Sequence, residues 1–223
     1  SISSSTSGSS TSCWYSITSR GWHPLIAVST SPGATPAWSA GDPGATTRTR
    51  GAEDTPGVYE GPAGAPLSLV PRRVRDAYDA KAYLAGLPFV DPGRIGVMGW
   101  SHGGHIVLQT VKERNVSPFK AAIAFYPLCD LTLNDFNAPL LILIGGSDSW
   151  TPAARCTENL PPEDKRTSEV VIKVYPGAYH GFDAEGADTY VRGVTDVHRV
   201  AYNAEAAADA NRMVKEYLEK YLK

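Results

Sequence analysis

The chain has 223 residues and a mass of 23.8 kDa, a size that fits one domain with a sizeable core. Its net charge of −2 and pI near 6.2 provide no basic surface for nucleic acid, and no apolar run is long enough to span a membrane. The three cysteines are far apart and lack the spacing of zinc ligands, so we expect neither a disulfide framework nor a metal site. With no visible signal peptide, these features predict a soluble protein in a reducing compartment such as the cytoplasm.

The first 70 residues differ from the rest of the chain, because more than half of them are Ser, Thr, Gly or Pro. Two short strands are predicted there, at Cys13 to Ile17 and at Leu25 to Val28. Ser31 to Pro66 resembles one long loop, which is unusual inside a compact domain. We therefore expect a single domain over residues 1–223 in which residues 1–70 are atypical.

From Pro71 onward the pattern is that of an α/β protein. A helix is predicted over Arg72 to Leu87, with Val74, Tyr78, Ala82 and Leu84 near one face, and Asp91-Pro92-Gly93 is a predicted turn. Buried strands are predicted at Ile95, Val97 and Met98, at Phe119 to Tyr126, at Pro139 to Ile144 and at Val170 to Tyr175. A last helix is predicted over Ala204 to Leu222, with Asn203 as its N-cap. Continuous apolar strands separated by helices indicate a mostly parallel sheet covered on both faces.

The segment Arg94 to Gly104, RIGVMGWSHGG, contains the G-x-S-x-G pattern of a nucleophile elbow. In such an elbow a serine sits on a sharp turn between a strand and a helix, so the flanking positions must be small. Gly99 and Gly103 meet this need on either side of Ser101. The alternative is a Gly-Ser loop without chemistry.

Two further chemical groups follow predicted strands. Asp148 follows the strand predicted at Pro139 to Ile144, and His180 follows the strand predicted at Val170 to Tyr175. Ligands of a parallel sheet bind outside the carboxyl ends of its strands. A serine hydroxyl needs a base such as His180 to accept its proton, and Asp148 would orient the imidazole and stabilise its charge. The backbone N–H of His102 is the candidate oxyanion donor.

Each candidate has an alternative role. Asp148 could instead be a helix N-cap before Thr151-Pro152, with Ser149 and Asp183 as nearby spare polar groups, and His180 could be a structural loop residue.

Two tryptophans near the candidate site also have two interpretations, and three other histidines are expected to have no role in the chemistry. Trp100 and Trp150 flank the predicted nucleophile and acid, so they are candidates to line the substrate pocket, although plain core packing is the alternative. His105 is expected to be packed on its helix. His23 and His198 are expected to be solvated or in local contacts.

Several segments together resemble the dienelactone hydrolase family of α/β-hydrolases. They are RIGVMGWSHGG, AFYPLCDL, LILIGGSDSWTPAARC, VYPGAYHGFD and YNAEAAADANRMVKEYL, within residues 72–223. The resemblance implies an α/β-hydrolase fold with no obvious lid domain and a triad of Ser101, Asp148 and His180. It also implies hydrolysis of carboxylic esters or lactones without a metal or cofactor.

The chain departs from that family pattern at two places. Dienelactone hydrolases usually carry Cys as the nucleophile, so Ser101 shifts the expected substrate toward general small esters. The N-terminal third is too short to hold the expected strands and oxyanion loop, so the second oxyanion donor has no candidate. The region is truncated, divergent or incorrectly recorded, and we favour the first or the last. The alternative functions are a promiscuous phosphotriester hydrolase or lactonase and a catalytically silent binding protein of the same fold. We expect a monomer or small homo-oligomer with a small-molecule substrate and no nucleic-acid or membrane partner.

Overall fold

The computed structural model describes residues 25–30, 70–88, 90–113, 116–193 and 195–223. The strands are β1 Leu25–Thr30, β2 Val90–Trp100, β3 Ala122–Phe125, β4 Leu140–Gly145, β5 Val170–Tyr175, β6 Asp188–Arg192 and β7 Val197–Ala201. The helices are α1 Val70–Ala85, α2 His102–Thr110, α3 Ala153–Glu158 and α4 Ala204–Tyr221, and a 3₁₀ turn spans Glu163–Lys165. The strand predicted at Cys13 to Ile17, the predicted long loop and His23 lie outside the described residues.

Strands β1 to β5 form one sheet in the order β1-β2-β3-β4-β5. Only β1 is antiparallel to its neighbour, and β2 to β5 run parallel. Every residue of β3 and β4 is buried, because helices cover both faces of the sheet. The predicted mostly parallel sheet is confirmed, and the strand predicted from Leu25 to Val28 is β1, at one end of the strand order among the described residues.

The register of the parallel strands aligns their carboxyl ends. Trp100 at the end of β2 is paired with Phe125 at the end of β3, and Phe125 is paired with Leu143. At the end of β4, Gly145 is paired with Tyr175 of β5. The residues that follow these strands therefore lie side by side along one edge of the sheet.

Helix α1 buries a different stripe from the predicted one. Val74 and Leu84 are buried as expected, but Ala82 is exposed, and Lys81 lies on the buried face. Lys81 can be there because its Nζ donates to the carbonyl and the hydroxyl of Ser117, at 2.9 and 2.8 Å. A stripe predicted only from apolar residues misses such a lysine.

Helix α4 begins where predicted. The side chain of Asn203 accepts a hydrogen bond from the backbone N–H of Ala206 at 3.0 Å and so caps the helix. Ala206, Ala210 and Leu218 are buried against the sheet. No helix in the described part of the chain is both long and apolar enough to cross a membrane.

The turn predicted at Asp91-Pro92-Gly93 does not precede β2 but lies inside it. Val90 pairs with Thr30 of β1, and the next pair joins Ile95 to Val28, so the intervening residues form a bulge. The N–H of Gly93 donates to Asp91 Oδ1 at 2.8 Å within this bulge. The local turn chemistry is present, but pairing continues on both sides of it.

Strands β6 and β7 form a separate antiparallel hairpin between the His180 loop and α4. The sequence interpretation contained no element there, because the hairpin is largely exposed and lacks a clear alternation of apolar and polar residues. It is attached to the His180 loop by a hydrogen bond from the N–H of Ala201 to the His180 carbonyl, at 3.2 Å.

Cys129 and Cys156 form a disulfide, so the expectation of unpaired cysteines is wrong for these two residues. They are 27 positions apart in sequence, a spacing that carries no pairing signal. They meet because Cys129 follows β3 and Cys156 lies on α3, and both segments lie beyond the carboxyl ends of the strands. Disulfides persist in oxidising compartments, so the argument for a reducing, cytoplasmic location loses its basis.

Candidate active site

Ser101 lies on the tight turn between β2 and α2. Its backbone has φ 53° and ψ −117°, a conformation that L-residues rarely adopt outside strained functional turns. Hydrogen bonds hold it there: its N–H donates to the Phe125 carbonyl at 2.9 Å, and its carbonyl accepts from the N–H of His105 at 3.0 Å. A Cβ at Gly99 would overlap the carbonyl oxygen of Gly103, so this turn requires glycine before Ser101.

The side chains of Ser101, His180 and Asp148 form one hydrogen-bonded chain. Ser101 Oγ lies 2.8 Å from His180 Nε2, and His180 Nδ1 lies 2.8 Å from Asp148 Oδ2. All three residues are buried. A carboxylate can only accept, so Nδ1 carries the imidazole proton and Nε2 is left to accept the proton of the serine hydroxyl.

The two oxygens of Asp148 have different partners. Oδ1 accepts from the backbone N–H groups of Trp150 and Thr151, at 2.8 and 2.9 Å. Oδ2 faces His180 and also accepts from the hydroxyl of Thr151, at 2.8 Å. The helix N-cap role considered for Asp148 is therefore not observed, because α3 begins at Ala153 with Pro152 as its N-cap. The bonds to Oδ1 form a local turn before the helix, and Oδ2 is left to face the imidazole.

The two spare polar groups near the site, Asp183 and Ser149, form their hydrogen bonds with residues other than His180. Asp183 accepts from Trp100 Nε1 at 2.7 Å and from the hydroxyl of Tyr126 at 2.8 Å. Ser149 Oγ lies 3.0 Å from Nδ1 of His198, a histidine of strand β7. The geometry thus favours Asp148 over Asp183 as the partner of the imidazole.

Trp100 and Trp150 are both half-buried beside the three side chains. The indole of Trp100 stacks on Phe125 with the ring centroids 5.4 Å apart. The ring of Trp150 lies between two imidazoles, 5.0 Å from His180 and 5.2 Å from His198, and it is nearly parallel to the latter. His198, expected to be solvated or local, is therefore packed against the side of the site.

His102 and His105 both lie on α2. His102 is the first residue of the helix, where backbone N–H groups have no carbonyl partner within the helix. Its side chain accepts from the guanidinium of Arg73 of α1, with NH1 2.8 Å from Nδ1. His105 is buried as expected, with Nδ1 3.0 Å from the Leu128 carbonyl and 3.4 Å from the carboxylate of Asp130.

Tyr126 is the residue that sequence reasoning missed. It directly follows β3 with φ 36°, its ring centroid lies 4.5 Å from that of His180, and its carbonyl accepts from the hydroxyl of Thr151 at 3.0 Å. Burial, and after it the carboxylate of Asp183, raises the pKa of Tyr126 well above its usual range, so it remains a phenol that donates. Applying the strand-end rule to β3 as well would have pointed to Tyr126.

No cluster of three or more His, Cys, Asp or Glu side chains in the described ranges could hold a metal ion. The arrangement can instead perform proton transfer between a hydroxyl and an imidazole, beside a helix N-terminus where negative charge is favoured.

The family model of the dienelactone hydrolase family matches residues 67–222. The chain belongs to the dienelactone hydrolase family. A Synechocystis sp. protein assigned as a carboxymethylenebutenolidase is 32% identical over 152 residues, which cover 64% of this chain and 56% of that protein. The solved structure of a dienelactone hydrolase-like promiscuous phosphotriesterase from metagenomic libraries matches with TM-score 0.54 and 18% identity, over 70% of this chain and 63% of that one.

A shorter segment is similar to a different class of hydrolase. Dipeptidyl aminopeptidase B of Saccharomyces cerevisiae is 34% identical over 61 residues, which cover 27% of this chain and 8% of the yeast protein. The chain thus spans a small part of that peptidase and just over half of the Synechocystis protein.

Proposed function

We propose that this protein hydrolyses small carboxylic esters or lactones through an acyl-enzyme intermediate on Ser101. The observation that carries the proposal is the continuous hydrogen-bonded chain from Ser101 Oγ through both nitrogens of His180 to Asp148, with both contacts at 2.8 Å. Membership of a hydrolase family supports the same class of reaction.

In the first half-reaction, Ser101 Oγ attacks the carbonyl carbon while its proton moves to Nε2 of His180. Asp148 Oδ2 stabilises the imidazolium that forms. The tetrahedral intermediate then breaks its bond to the leaving alkoxide, which takes the proton from Nε2 and departs as the alcohol. In the second half-reaction His180 removes a proton from water, the water attacks the acyl-enzyme, and the acid is released as Ser101 regains its proton.

The backbone N–H of His102 is the proposed donor to the oxyanion, because the N-terminal turn of α2 begins directly after the nucleophile. One such donor typically lowers the barrier by about 3 kcal/mol. We propose that the indoles of Trp100 and Trp150 line the substrate pocket, since both are half-buried on either side of the site.

The test is a panel of p-nitrophenyl esters and lactones with wild type, Ser101→Ala and Ser149→Ala. Ser149 is the matched control, because it is a second serine at the same edge of the sheet whose hydroxyl faces His198 rather than His180. We expect Ser101→Ala to lose roughly 10³-fold or more in kcat/KM while its Tm stays near that of wild type, and Ser149→Ala to stay within about threefold. Wild-type turnover by Ser101→Ala contradicts the proposal.

A phosphotriester hydrolase is the second candidate, since the same hydroxyl could attack phosphorus. The observation that favours it is the structural likeness to a protein described as a promiscuous phosphotriesterase. Phosphotriesters therefore belong in the panel, and a dipeptide p-nitroanilide is added because a segment of the chain is similar to a dipeptidyl aminopeptidase. Turnover of phosphotriesters without turnover of esters or lactones would reverse the ranking, and turnover of the p-nitroanilide alone would favour a peptidase. No turnover of any compound would favour the silent binding protein.

A further inference from the structure

Asp183 is a half-buried carboxylate that stands three positions after His180 and takes no part in the proposed proton transfer. It binds two other side chains at once: Oδ2 accepts from Trp100 Nε1 at 2.7 Å, and Oδ1 accepts from the hydroxyl of Tyr126 at 2.8 Å. Hydrogen bonds to an ionised acceptor are about twice as strong as neutral ones. Asp183 therefore joins its own loop to two separate strand ends.

Both donors stand next to residues of the site. Trp100 is the last residue of β2 and directly precedes Ser101, so the indole is covalently tied to the nucleophile turn. Tyr126 directly follows β3, and its ring packs against the imidazole of His180 with centroids 4.5 Å apart. The carboxylate thus connects the segment that carries the base to the segment that carries the nucleophile.

The backbone around Tyr126 adds a third connection. Its carbonyl accepts from the hydroxyl of Thr151 at 3.0 Å, and that hydroxyl lies 2.8 Å from Asp148 Oδ2. Tyr126 holds the positive φ of 36° that this arrangement requires, a strained conformation for a bulky residue. Without the acceptor at Asp183, the buried phenol of Tyr126 would lose its hydrogen-bond partner, which is unfavourable for a buried donor.

We propose that Asp183 is a positioning residue that fixes the distance between Ser101 and His180 through Trp100 and Tyr126. It touches neither the substrate nor the transferred proton. Its removal therefore lets the imidazole and the hydroxyl drift apart, and a misplacement of about 1 Å can cost roughly 10²-fold in rate. The inference rests on the proposed serine-hydrolase function.

The experiment compares kcat and KM for Asp183→Ala, Asp183→Asn, Tyr126→Phe and the double variant Asp183→Ala/Tyr126→Phe on the best p-nitrophenyl ester. Glu185→Gln is the control, since it removes a negative charge from an exposed position of the same loop. All assays run well below each variant's Tm, and fluorophosphonate titration counts the sites that react.

For Asp183→Ala we expect kcat per active site to fall about 10- to 100-fold with KM within about threefold, because orientation rather than binding is lost. Tyr126→Phe keeps the ring and should lose less. The kcat of the double variant should be no lower than that of Asp183→Ala alone, because both substitutions break the same hydrogen bond between Tyr126 and Asp183. Asp183→Asn keeps one acceptor oxygen and should be intermediate, which preserves the test if the alanine variant does not fold.

A merely structural role for Asp183 predicts a different pattern, with lowered Tm, unchanged kcat per active site and additive effects in the double variant. That pattern overturns the assignment while the hydrolase proposal stands. A wild-type protein that neither turns over nor reacts with the fluorophosphonate overturns the proposed function, and this assignment with it.

Discussion

At the scale of single residues, the hydroxyl of Thr151 is a side-chain group that binds the same oxygen of Asp148 as the imidazole does. It lies 2.8 Å from Asp148 Oδ2, 3.0 Å from the Tyr126 carbonyl and 3.3 Å from His180 Nδ1, and Thr151 is almost fully buried. The hydroxyl has one proton, which it shares between the carboxylate and the Tyr126 carbonyl, so it orients the carboxylate next to the imidazole.

Thr151→Val removes this hydroxyl and keeps the β-branched shape. Hydrogen bonds to charged groups contribute about 1.5–3 kcal/mol, so we expect kcat to fall roughly 10- to 100-fold with little change in KM. Thr157→Val is the control, because Thr157 is exposed on α3 and its hydroxyl donates to the Ala154 carbonyl. Steady-state kinetics on a p-nitrophenyl ester measure both. Equal activity of the two variants would show that the Thr151 hydroxyl does not orient Asp148.

At the scale of elements, the disulfide joins α3 to the segment after β3. Cys156 lies on α3, shortly after Asp148 and Thr151, whereas Cys129 lies three positions after Tyr126. Both sulfur-bearing residues are almost fully buried. The disulfide therefore stabilises the relative position of the two segments that carry Asp148 and Tyr126.

Replacement of both cysteines by alanine is expected to lower the free energy of unfolding by about 3–4 kcal/mol, from the loss of a crosslink across 27 positions. Urea unfolding of this double variant against wild type and Cys13→Ala measures the difference. Thiol titration of the denatured, unreduced wild type should detect a single thiol among the three cysteines. Three reactive thiols would contradict the disulfide and restore the argument for a reducing compartment.

At the scale of the whole molecule, the sequence predicts the strands and helices that have a local hydrophobic pattern. It does not predict the contacts between segments that are distant in sequence. The bounds predicted for Val170 to Tyr175 match those observed, because this short run is rich in β-branched residues and interrupted only by Lys173. The β6–β7 hairpin was missed because its exposed residues, such as Tyr190 at 68% exposure, follow no buried stripe.

The same division holds in the candidate site. Ser101, Asp148 and His180 could be predicted as candidates because each follows a strand and each residue type has a known chemical use. The partners of Asp183 could not be found, since a carboxylate, an indole and a phenol far apart in sequence carry no common motif. The disulfide between Cys129 and Cys156 could not be predicted for the same reason.

The most direct test of Ser101 as the activated nucleophile is fluorophosphonate labelling followed by peptide mass mapping. The predicted result is modification of Ser101 in the wild type, slowing by orders of magnitude in His180→Ala, because the base 2.8 Å from the hydroxyl is gone. His198→Ala is the control, since this imidazole stacks on Trp150 and faces Ser149 instead, and it should label at nearly the wild-type rate. Modification at another residue, or labelling of His180→Ala as fast as wild type, would contradict Ser101 as the activated nucleophile.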